Sequence, residues 1–373
     1  MSIQFIDLQA QRKRIGEPMN LAILAAVEAG QWIMGPQVKD LEEKLAAFAG
    51  VKHAIACANG TDALMIVLRA WEIGPGDAVF VPAFTFAATA EVVALVGASP
   101  VFVDVLEDTF NIDPASLEAA IALIKKDGKL KPRVVMPVDL FGQPADYAAI
   151  EAICAREGLK LFCDSAQGFG GLLNGKRAGG IGDAAATSFF PAKPLGCFGD
   201  GGATFTNDDE LAATLRSIRV HGQGSDKYEN VRVGVNSRLD TIQAAVLLEK
   251  LKIFPDEIDA RNVVAKRYND GFSGSNHIII PRVIDNATST WAQYTLQVEN
   301  RDKLQADLKA KGIPSMVYYP IPLNDQKAYK HHPSVPTPKS AALSKTVISL
   351  PMHPYLEAAQ QDTIIAAVLE SVG

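Results

Sequence analysis

Short apolar runs alternate with helical segments along the chain from about residue 36 to residue 207. Helical segments such as PQVKDLEEKLAAFAG place apolar residues three or four positions apart. The apolar runs are, in chain order, HAIACA, AVFVPA, PVFVDV, RVVMPVDL, LKLFCDSA, AAATSFF and GGATFTN. Because strands that alternate with helices pair in parallel and are covered on both faces, the pattern predicts an α/β fold with a mostly parallel seven-stranded sheet.

The pattern changes after residue 207. Three helices are predicted in DELAATLRSIRVHG, TIQAAVLLEKLKIF and EIDARNVVAKRYNDGF. The last stretch mixes the strand-like runs TWAQYTLQV and PSMVYY with the helical segments RDKLQADLKAKG and AAQQDTIIAAVLESV. The sequence therefore predicts a large domain over residues 1–250 and a smaller C-terminal α+β domain over residues 251–373.

Composition narrows the function classes. The chain has 373 residues and a net charge of −6 without a basic run, which disfavours a nucleic-acid surface. No apolar run approaches the ~18 residues of a membrane span, and the N-terminus lacks the apolar core of a signal peptide. The four cysteines are scattered, as is typical of reduced thiols. We therefore expect a cytoplasmic protein with no membrane partner and no metal site.

Residues that directly follow the strands are the candidates for ligand binding, because open parallel sheets bind ligands outside the carboxyl ends of their strands. After HAIACA, Gly60 and Thr61 open a helix whose free N–H groups suit a phosphate; the alternative is an ordinary N-cap. After AVFVPA, Phe86 either stacks on a planar ligand ring or packs in the core.

Two polar residues at the end of the strand LKLFCDSA form a second candidate group. Asp164 lies at the tip of this buried strand, where a carboxylate needs a partner to offset its desolvation. It either caps a turn or provides the counter-charge for a cationic nitrogen, with Gln167 as a nearby hydrogen-bond donor.

The segment SFFPAKPLGCFGDGGA contains a single lysine, Lys193. Pro191 and Pro194 restrict the backbone around it, and Phe189 and Phe190 are expected to exclude water. A lone lysine is usually a solvated surface residue, but desolvation lowers the pKa of lysine and makes it a nucleophile for carbonyls. Together, the strand ends supply what pyridoxal phosphate needs: a lysine, an acid for the ring nitrogen, a ring stack and a phosphate cup.

Seven segments carry a resemblance to a known family: FIDLQAQ, CANGTDAL, PAFTFAATAE, DSAQGFG, SFFPAKPLGCFGDGGA, RVGVNSRLDTIQAA and YYPIPLN. Taken together, they resemble the DegT/DnrJ/EryC1/StrS sugar aminotransferases. The resemblance implies the fold of the aspartate aminotransferase type (PLP-dependent transferase fold type I) and the cofactor pyridoxal 5′-phosphate. It also implies a homodimer whose two active sites are shared between the chains.

The resemblance further implies roles for individual residues. Lys193 would bind the cofactor aldehyde covalently, and Asp164 would pair with the pyridine nitrogen and keep it protonated. Gln167 would contact the ring hydroxyl, and Phe86 would stack on the ring face. The phosphate would be held by Gly60, Thr61, Ser188 and, across the dimer interface, Asn236 of the partner subunit.

In detail, the sequence is similar to the enzymes that aminate carbon 3 of UDP-linked 2-acetamido-3-keto-glucuronic acid, with glutamate as the amino donor and 2-oxoglutarate as its product. That reaction would serve bacterial surface polysaccharide (lipopolysaccharide O-antigen) synthesis. Arg238 would clamp the sugar carboxylate in a guanidinium fork, or would form an ion pair at the dimer interface. Tyr318 and Tyr319 would lie near the sugar, and Asn324 is either a substrate contact or structural.

Other functions remain as alternatives. The substrate could be another UDP- or dTDP-linked 3-keto or 4-keto hexose. A sugar dehydratase of the same family would have histidine at the position of Lys193, and a nicotinamide enzyme would have a GxGxxG turn that this chain lacks. A non-catalytic regulator that keeps the fold is disfavoured by the complete set of cofactor residues.

Overall fold

The sheet predicted from the alternating pattern is present in the computed structural model, which describes residues 3–226 and 228–373. The strands are β1 (His53–Cys57), β2 (Asp77–Pro82), β3 (Ser99–Val103), β4 (Lys131–Val135), β5 (Lys160–Asp164), β6 (Leu172–Leu173), β7 (Lys176–Arg177), β8 (Ala184–Ser188), β9 (Gly202–Thr206), β10 (Ile278–Ile279), β11 (Ala287–Thr288), β12 (Tyr294–Val298) and β13 (Val347–Leu350). Among these described strands, seven form the central sheet in the order β1-β9-β8-β5-β4-β2-β3. The predicted fold class is confirmed.

One strand of the central sheet runs against the others. Strand β9 is antiparallel to both β1 and β8, whereas the remaining neighbours are parallel. The reason is the connection from β8 to β9, which contains no helix, and a parallel return requires a longer crossover. This connecting segment, residues 189–201, contains Lys193 and starts at the carboxyl end of β8.

Helices cover both faces of the sheet. They are α1 (Leu8–Ile15), α2 (Glu17–Glu28), α3 (Pro36–Ala49), α4 (Gly60–Ala70), α5 (Ala88–Leu95), α6 (Pro114–Asp127), α7 (Tyr147–Glu157), α8 (Asp209–Ile218), α9 (Thr241–Phe272), α10 (Arg301–Ala310), α11 (Pro338–Thr346) and α12 (Ala358–Val372). Helices α3, α6, α7 and α9 bury apolar side chains on one face, and α4, α5 and α8 do so on the other. Successive strand residues point to opposite faces, so each strand contributes to both apolar layers.

Two helices predicted after residue 240 are in fact one. Helix α9 runs without a break from Thr241 to Phe272 and contains Pro255. Proline removes one backbone hydrogen bond, but Phe254 and Ile258 on either side are buried in the same core cluster, and this packing favours continuing the helix. The predicted boundary between residues 250 and 251 lies inside the continuous helix α9, so no break in the chain marks it. The division into domains 1–250 and 251–373 stays a prediction.

The C-terminal part is the α+β arrangement that the sequence predicts. Strands β10, β12 and β13 form an antiparallel sheet that packs with α10, α12 and the second half of α9. The predicted strand PSMVYY is wrong, since it contributes only an isolated bridge between Met316 and Ser349. Helices α1 and α2 were not predicted. In the described part of the chain, no helix has the length and apolarity needed to cross a membrane.

Candidate active site

A cavity of about 920 Å³ opens at the carboxyl ends of β1, β2, β5 and β8. Its volume lies in the range of small-molecule and cofactor sites. Nine of the residues predicted from sequence line it: Gly60, Thr61, Phe86, Asp164, Gln167, Ser188, Lys193, Tyr318 and Tyr319. Residues separated by more than 250 positions in the chain therefore meet in one place, as the rule for parallel sheets predicts.

The segment that carries Lys193 is folded back on itself. The Lys193 N–H donates to the Phe190 carbonyl at 2.8 Å, and the N–H of Cys197 donates to the Phe189 carbonyl at 2.8 Å. Gly196 is required there, because a Cβ would lie 2.6 Å from the Phe190 carbonyl oxygen. These contacts fix the position of the lysine backbone at the edge of the cavity.

Burial lowers the pKa of Lys193, and the nearby Asp164 carboxylate partly opposes this effect. Less free energy is therefore needed to deprotonate Lys193 than to deprotonate a solvated lysine, and a nucleophilic amine must be neutral. The prediction that two phenylalanines exclude water holds within one chain for Phe189, which is fully buried. Phe190 is 53% exposed and lines the cavity instead.

Asp164 is the last residue of β5 and is buried. Burial raises the pKa of its carboxyl, while hydrogen bonds from the Ala166 N–H at 3.2 Å and the Thr89 hydroxyl at 3.0 Å lower it, as does Lys193. The carboxylate is thus oriented by two donors and still lacks a full counter-charge. A protonated ring nitrogen would supply that charge. Sequence analysis did not select Thr89, which lies on α5 within the segment PAFTFAATAE.

The Gln167 side chain has a defined orientation. Its Oε1 accepts a hydrogen bond from the Phe141 N–H at 2.8 Å, and its Nε2 donates to the Tyr319 hydroxyl at 3.1 Å. Tyr319 packs between the rings of Phe84 and Phe86, with centroid distances of 6.0 and 6.3 Å. Because Gln167 and Tyr319 both line the cavity, the hydrogen bond between them holds the Gln167 amide nitrogen at the cavity surface.

The first turn of α4 and the end of β8 lie side by side and together form a cup at the edge of the cavity. Asn59 caps α4 by accepting the Asp62 N–H at 2.8 Å, so the N-cap alternative is confirmed, and phosphate binding by Gly60 and Thr61 stays a prediction. A Cβ on Gly60 would lie 2.6 Å from the Cβ of Ser188, so this close approach needs glycine. The helix N-terminus, the Thr61 hydroxyl and the Ser188 hydroxyl then converge on the same space.

Three predicted residues do not line this cavity in their own chain. Asn236 is exposed, and its backbone forms an isolated bridge with Val220. The Nε of Arg238 is buried without a hydrogen-bond partner. Asn324 donates to the Thr337 hydroxyl at 3.0 Å, which supports a structural role. The substrate and cofactor roles of these residues stay predictions.

Further residues line the cavity that sequence analysis did not select. They include Ile6, Asp62, Asp200, Gln293 and Gln326. Most belong to loops or the N-terminal segment, where no periodic pattern marks the side that faces a ligand.

The geometry fits pyridoxal phosphate. A buried carboxylate, a lysine with a lowered pKa and a cup at a helix N-terminus surround one space, and the 56%-exposed Phe86 ring offers a stacking surface. A family model described as the DegT/DnrJ/EryC1/StrS aminotransferase family matches residues 13–369. The chain belongs to this family.

Individual members of the family are similar over the full length. A curated relative, UDP-2-acetamido-2-deoxy-3-oxo-D-glucuronate aminotransferase of Pseudomonas aeruginosa, is 49% identical over 367 residues, covering 98% of this chain and 99% of the relative. The crystal structure of a DegT/DnrJ/EryC1/StrS aminotransferase from Brucella abortus is 55% identical, with a TM-score of 0.98 and 100% of both chains covered.

A similar solved structure carries a cofactor. The crystal structure of NtdA from Bacillus subtilis with bound cofactor PMP is 28% identical and has a TM-score of 0.89, covering 100% of this chain and 85% of that one. PMP is the aminated form of pyridoxal phosphate. This DegT/DnrJ/EryC1/StrS family member is therefore a pyridoxal-phosphate-dependent aminotransferase.

Proposed function

We propose that this aminotransferase moves an amino group from glutamate to UDP-2-acetamido-2-deoxy-3-oxo-D-glucuronate, giving the 3-amino sugar. The observation that carries this proposal is the 49% identity, across 98% of the chain, to the Pseudomonas aeruginosa enzyme named for that substrate. The product would enter bacterial surface polysaccharide synthesis in the cytoplasm, as the sequence predicts.

The residues of the cavity have distinct tasks in this reaction. Bound pyridoxal phosphate supplies a conjugated ring that withdraws electrons from the reacting carbon. Lys193 would hold the cofactor covalently, and its Nζ would move a proton to or from the substrate carbon. Asp164, oriented by the Thr89 hydroxyl, would keep the ring nitrogen protonated. Gln167, whose Nε2 donates to the Tyr319 hydroxyl, would contact the ring hydroxyl.

The remaining residues would hold the cofactor in place. Phe86, which lines the cavity, would cover one face of the ring. Gly60, Thr61 and Ser188 would hold the phosphate at the N-terminus of α4, where the helix dipole favours negative charge. Tyr318 and Tyr319, which also line the cavity, would lie near the sugar.

The charge of the cavity supports a homodimer with shared sites. Among the described residues that line it, Lys193 is the only cationic side chain, whereas Asp62, Asp164 and Asp200 are acidic. The proposed substrates carry a diphosphate and carboxylates, so further cations are needed from outside one chain. We assign them to the partner subunit's Arg238, and its Asn236 to the cofactor phosphate. A single arginine would serve both glutamate and the sugar acid in turn.

An exposed apolar surface near the N-terminus is consistent with such a partner. Leu21 and Leu24 on α2, together with Trp32, Ile33 and Met34, are each 38% to 58% exposed. Contiguous exposed apolar patches are typical of protein interaction sites. A second copy of the chain is the proposed occupant.

The substrate assignment can be tested with a panel of UDP- and dTDP-linked amino sugars, each incubated with 2-oxoglutarate so that the reaction runs in reverse. We expect the 3-amino glucuronate derivative to convert the bound cofactor most efficiently, measured as kcat/KM. Preferential use of a 4-amino or neutral dTDP sugar would replace this substrate with that alternative. If neither glutamate nor any of the amino sugars converted the bound cofactor, the alternative of a non-catalytic regulator would be favoured.

A further inference from the structure

Asp139, just after β4, is a fully buried carboxylate that the mechanism above does not use. Its Oδ1 accepts hydrogen bonds from the Tyr147 hydroxyl at 2.6 Å and the Ala145 N–H at 3.1 Å. Its Oδ2 accepts from the Ser165 hydroxyl at 2.6 Å. All three donors are neutral. A buried carboxylate without a cationic partner costs free energy, so its presence calls for an explanation beyond stability.

Asp139 is hydrogen-bonded to the backbone of Asp164, whose carboxylate is proposed to bind the ring nitrogen, and to the residue that follows it. Its N–H donates to the Asp164 carbonyl at 2.9 Å, and its partner Ser165 is the next residue after Asp164. Gly168 packs so closely that a Cβ there would lie 2.3 Å from the Cβ of Asp139. Asp164 therefore ends β5 and lines the cavity, whereas Asp139 lies in the loop that follows the parallel neighbour β4 and is outside the lining.

The ionisable groups around Asp139 are Tyr147 on α7 and Cys163 and Asp164 on β5. Burial raises the pKa values of Tyr147 and Cys163 well above their ordinary range, so both stay neutral. Burial also raises the pKa of Asp139 to about 7, against the effect of its three donors, and the charge of Asp164 adds to the increase. A cation held by Asp164 would favour the ionised form of Asp139.

We propose that Asp139 is a positioning residue for transamination: it anchors Ser165 at the end of β5 and places a second negative charge behind Asp164. This charge favours the protonated, cationic form of a ring nitrogen paired with Asp164, and so strengthens the ion pair that keeps the ring an electron acceptor. The inference rests on the proposed pairing of Asp164 with the ring nitrogen.

The test uses Asp139→Asn in the full-length holoenzyme, because asparagine keeps the shape and removes the charge. The readout is the pH midpoint at which the visible absorption band of bound pyridoxal phosphate changes. We expect the midpoint to fall by about one pH unit, since a nearby negative charge no longer favours the protonated form. The concentration of pyridoxal phosphate needed to half-saturate the apoenzyme should rise severalfold.

Asp104→Asn is the matched control. Asp104 is equally a buried carboxylate, with bonds from the Ser340 hydroxyl at 2.6 Å and the Ser340 and Lys339 N–H groups, but it does not line the cavity. It should lose stability without moving the absorption midpoint. Equal shifts in both variants would mean a general packing effect and would overturn the inference.

Two further variants make the result decisive. Ser165→Ala removes a hydrogen-bond donor to Asp139 and so raises the pKa of the Asp139 carboxyl. The absorption midpoint should therefore fall, as in Asp139→Asn, but by less. If Asp139→Asn does not fold, the result for Ser165→Ala decides the matter alone. Asp164→Asn should move it most. A shift in Asp164→Asn with none in the other two would refute only the role of Asp139. No shift in any of the three would refute the ring-nitrogen assignment as well.

Discussion

At the scale of single residues, the chemistry depends on how the fold changes the solvation of ordinary side chains. Lys193 and Asp164 are common ionisable residues whose pKa values are shifted because each is removed from water. Their mutual attraction opposes both shifts without cancelling them. The sequence predicted both residues, but the Thr89 hydroxyl that orients the carboxylate appears only in the tertiary structure.

Lys193→Ala tests the central assignment. We expect transamination to fall by at least about 10²- to 10⁴-fold, because both the covalent attachment and the proton transfer are lost. The apoenzyme should melt at the same or a slightly higher temperature, since a desolvated amine is removed. Borohydride treatment and peptide mass spectrometry should find a pyridoxyl label on the wild-type peptide containing Lys193.

The exposed Lys327 provides the control for that experiment. Lys327→Ala should keep both the activity and the label. A labelled peptide elsewhere in the chain, or near-wild-type turnover of Lys193→Ala, would show that another residue attaches the cofactor.

At the scale of secondary-structure elements, the junctions between strands and helices build the site. The turn from β1 into α4 brings Gly60 against Ser188 at the end of β8, so one cup is made from two strand ends that are far apart in sequence. The sequence located both ends correctly because strand-helix alternation is strongly periodic. The sequence could not predict that the ends of β1 and β8 lie close together, because this depends on β9 pairing between these two strands.

Gly60→Ala should reduce the affinity for pyridoxal phosphate by about 10- to 100-fold, because its Cβ would meet the Cβ of Ser188 at 2.6 Å and push the cup open. The measurement is the pyridoxal phosphate concentration that half-saturates the apoenzyme. Gly74→Ala is the control, since a Cβ there has no neighbour closer than 3.7 Å. Unchanged affinity in Gly60→Ala would place the phosphate elsewhere.

At the scale of the whole molecule, one chain provides the cofactor cavity but few groups for an acidic substrate. Arg238 has a buried Nε with no partner and lies outside the cavity of its own chain. In the proposed homodimer, each arginine would serve the site of the other subunit.

Arg238→Ala should raise KM for the acidic amino sugar by about 10- to 100-fold with a smaller change in kcat, because a bidentate carboxylate contact is lost. A neutral UDP amino sugar, measured in parallel, should be affected much less. An equal loss for both sugars would refute the clamp, and analytical ultracentrifugation of the variant would show whether the dimer itself was lost.

The stability of the whole fold should also depend on pH through His353, which is buried beside Arg261 on α9. Burial first, and then the charge of Arg261, lowers its pKa from 6.5 to about 4. The unfolded chain therefore binds the proton more readily between these values. The contribution of neutral His353 to the free energy of unfolding is fully present above pH 6.5. It falls by roughly 3 kcal/mol as the pH is lowered to about 4.

Chemical denaturation of the apoenzyme at several pH values measures this effect. His353→Gln should flatten the loss of unfolding free energy between pH 6.5 and pH 4 relative to the wild type. His277→Gln, at an exposed histidine, should leave the pH dependence unchanged. Identical slopes for wild type and His353→Gln would contradict the prediction.

The sequence by itself determined the fold class and the strand ends, and it predicted nine of the residues that line the cavity. Its periodic pattern specifies the buried face of each element, and parallel strands bring their carboxyl ends to one edge whatever the helices between them. The tertiary structure decided the rest. It joined two predicted helices at Pro255, because packing on both sides outweighed one lost hydrogen bond. It also decided the partners of Asp164 and Gln167, since contacts between distant segments depend on packing that local patterns do not encode.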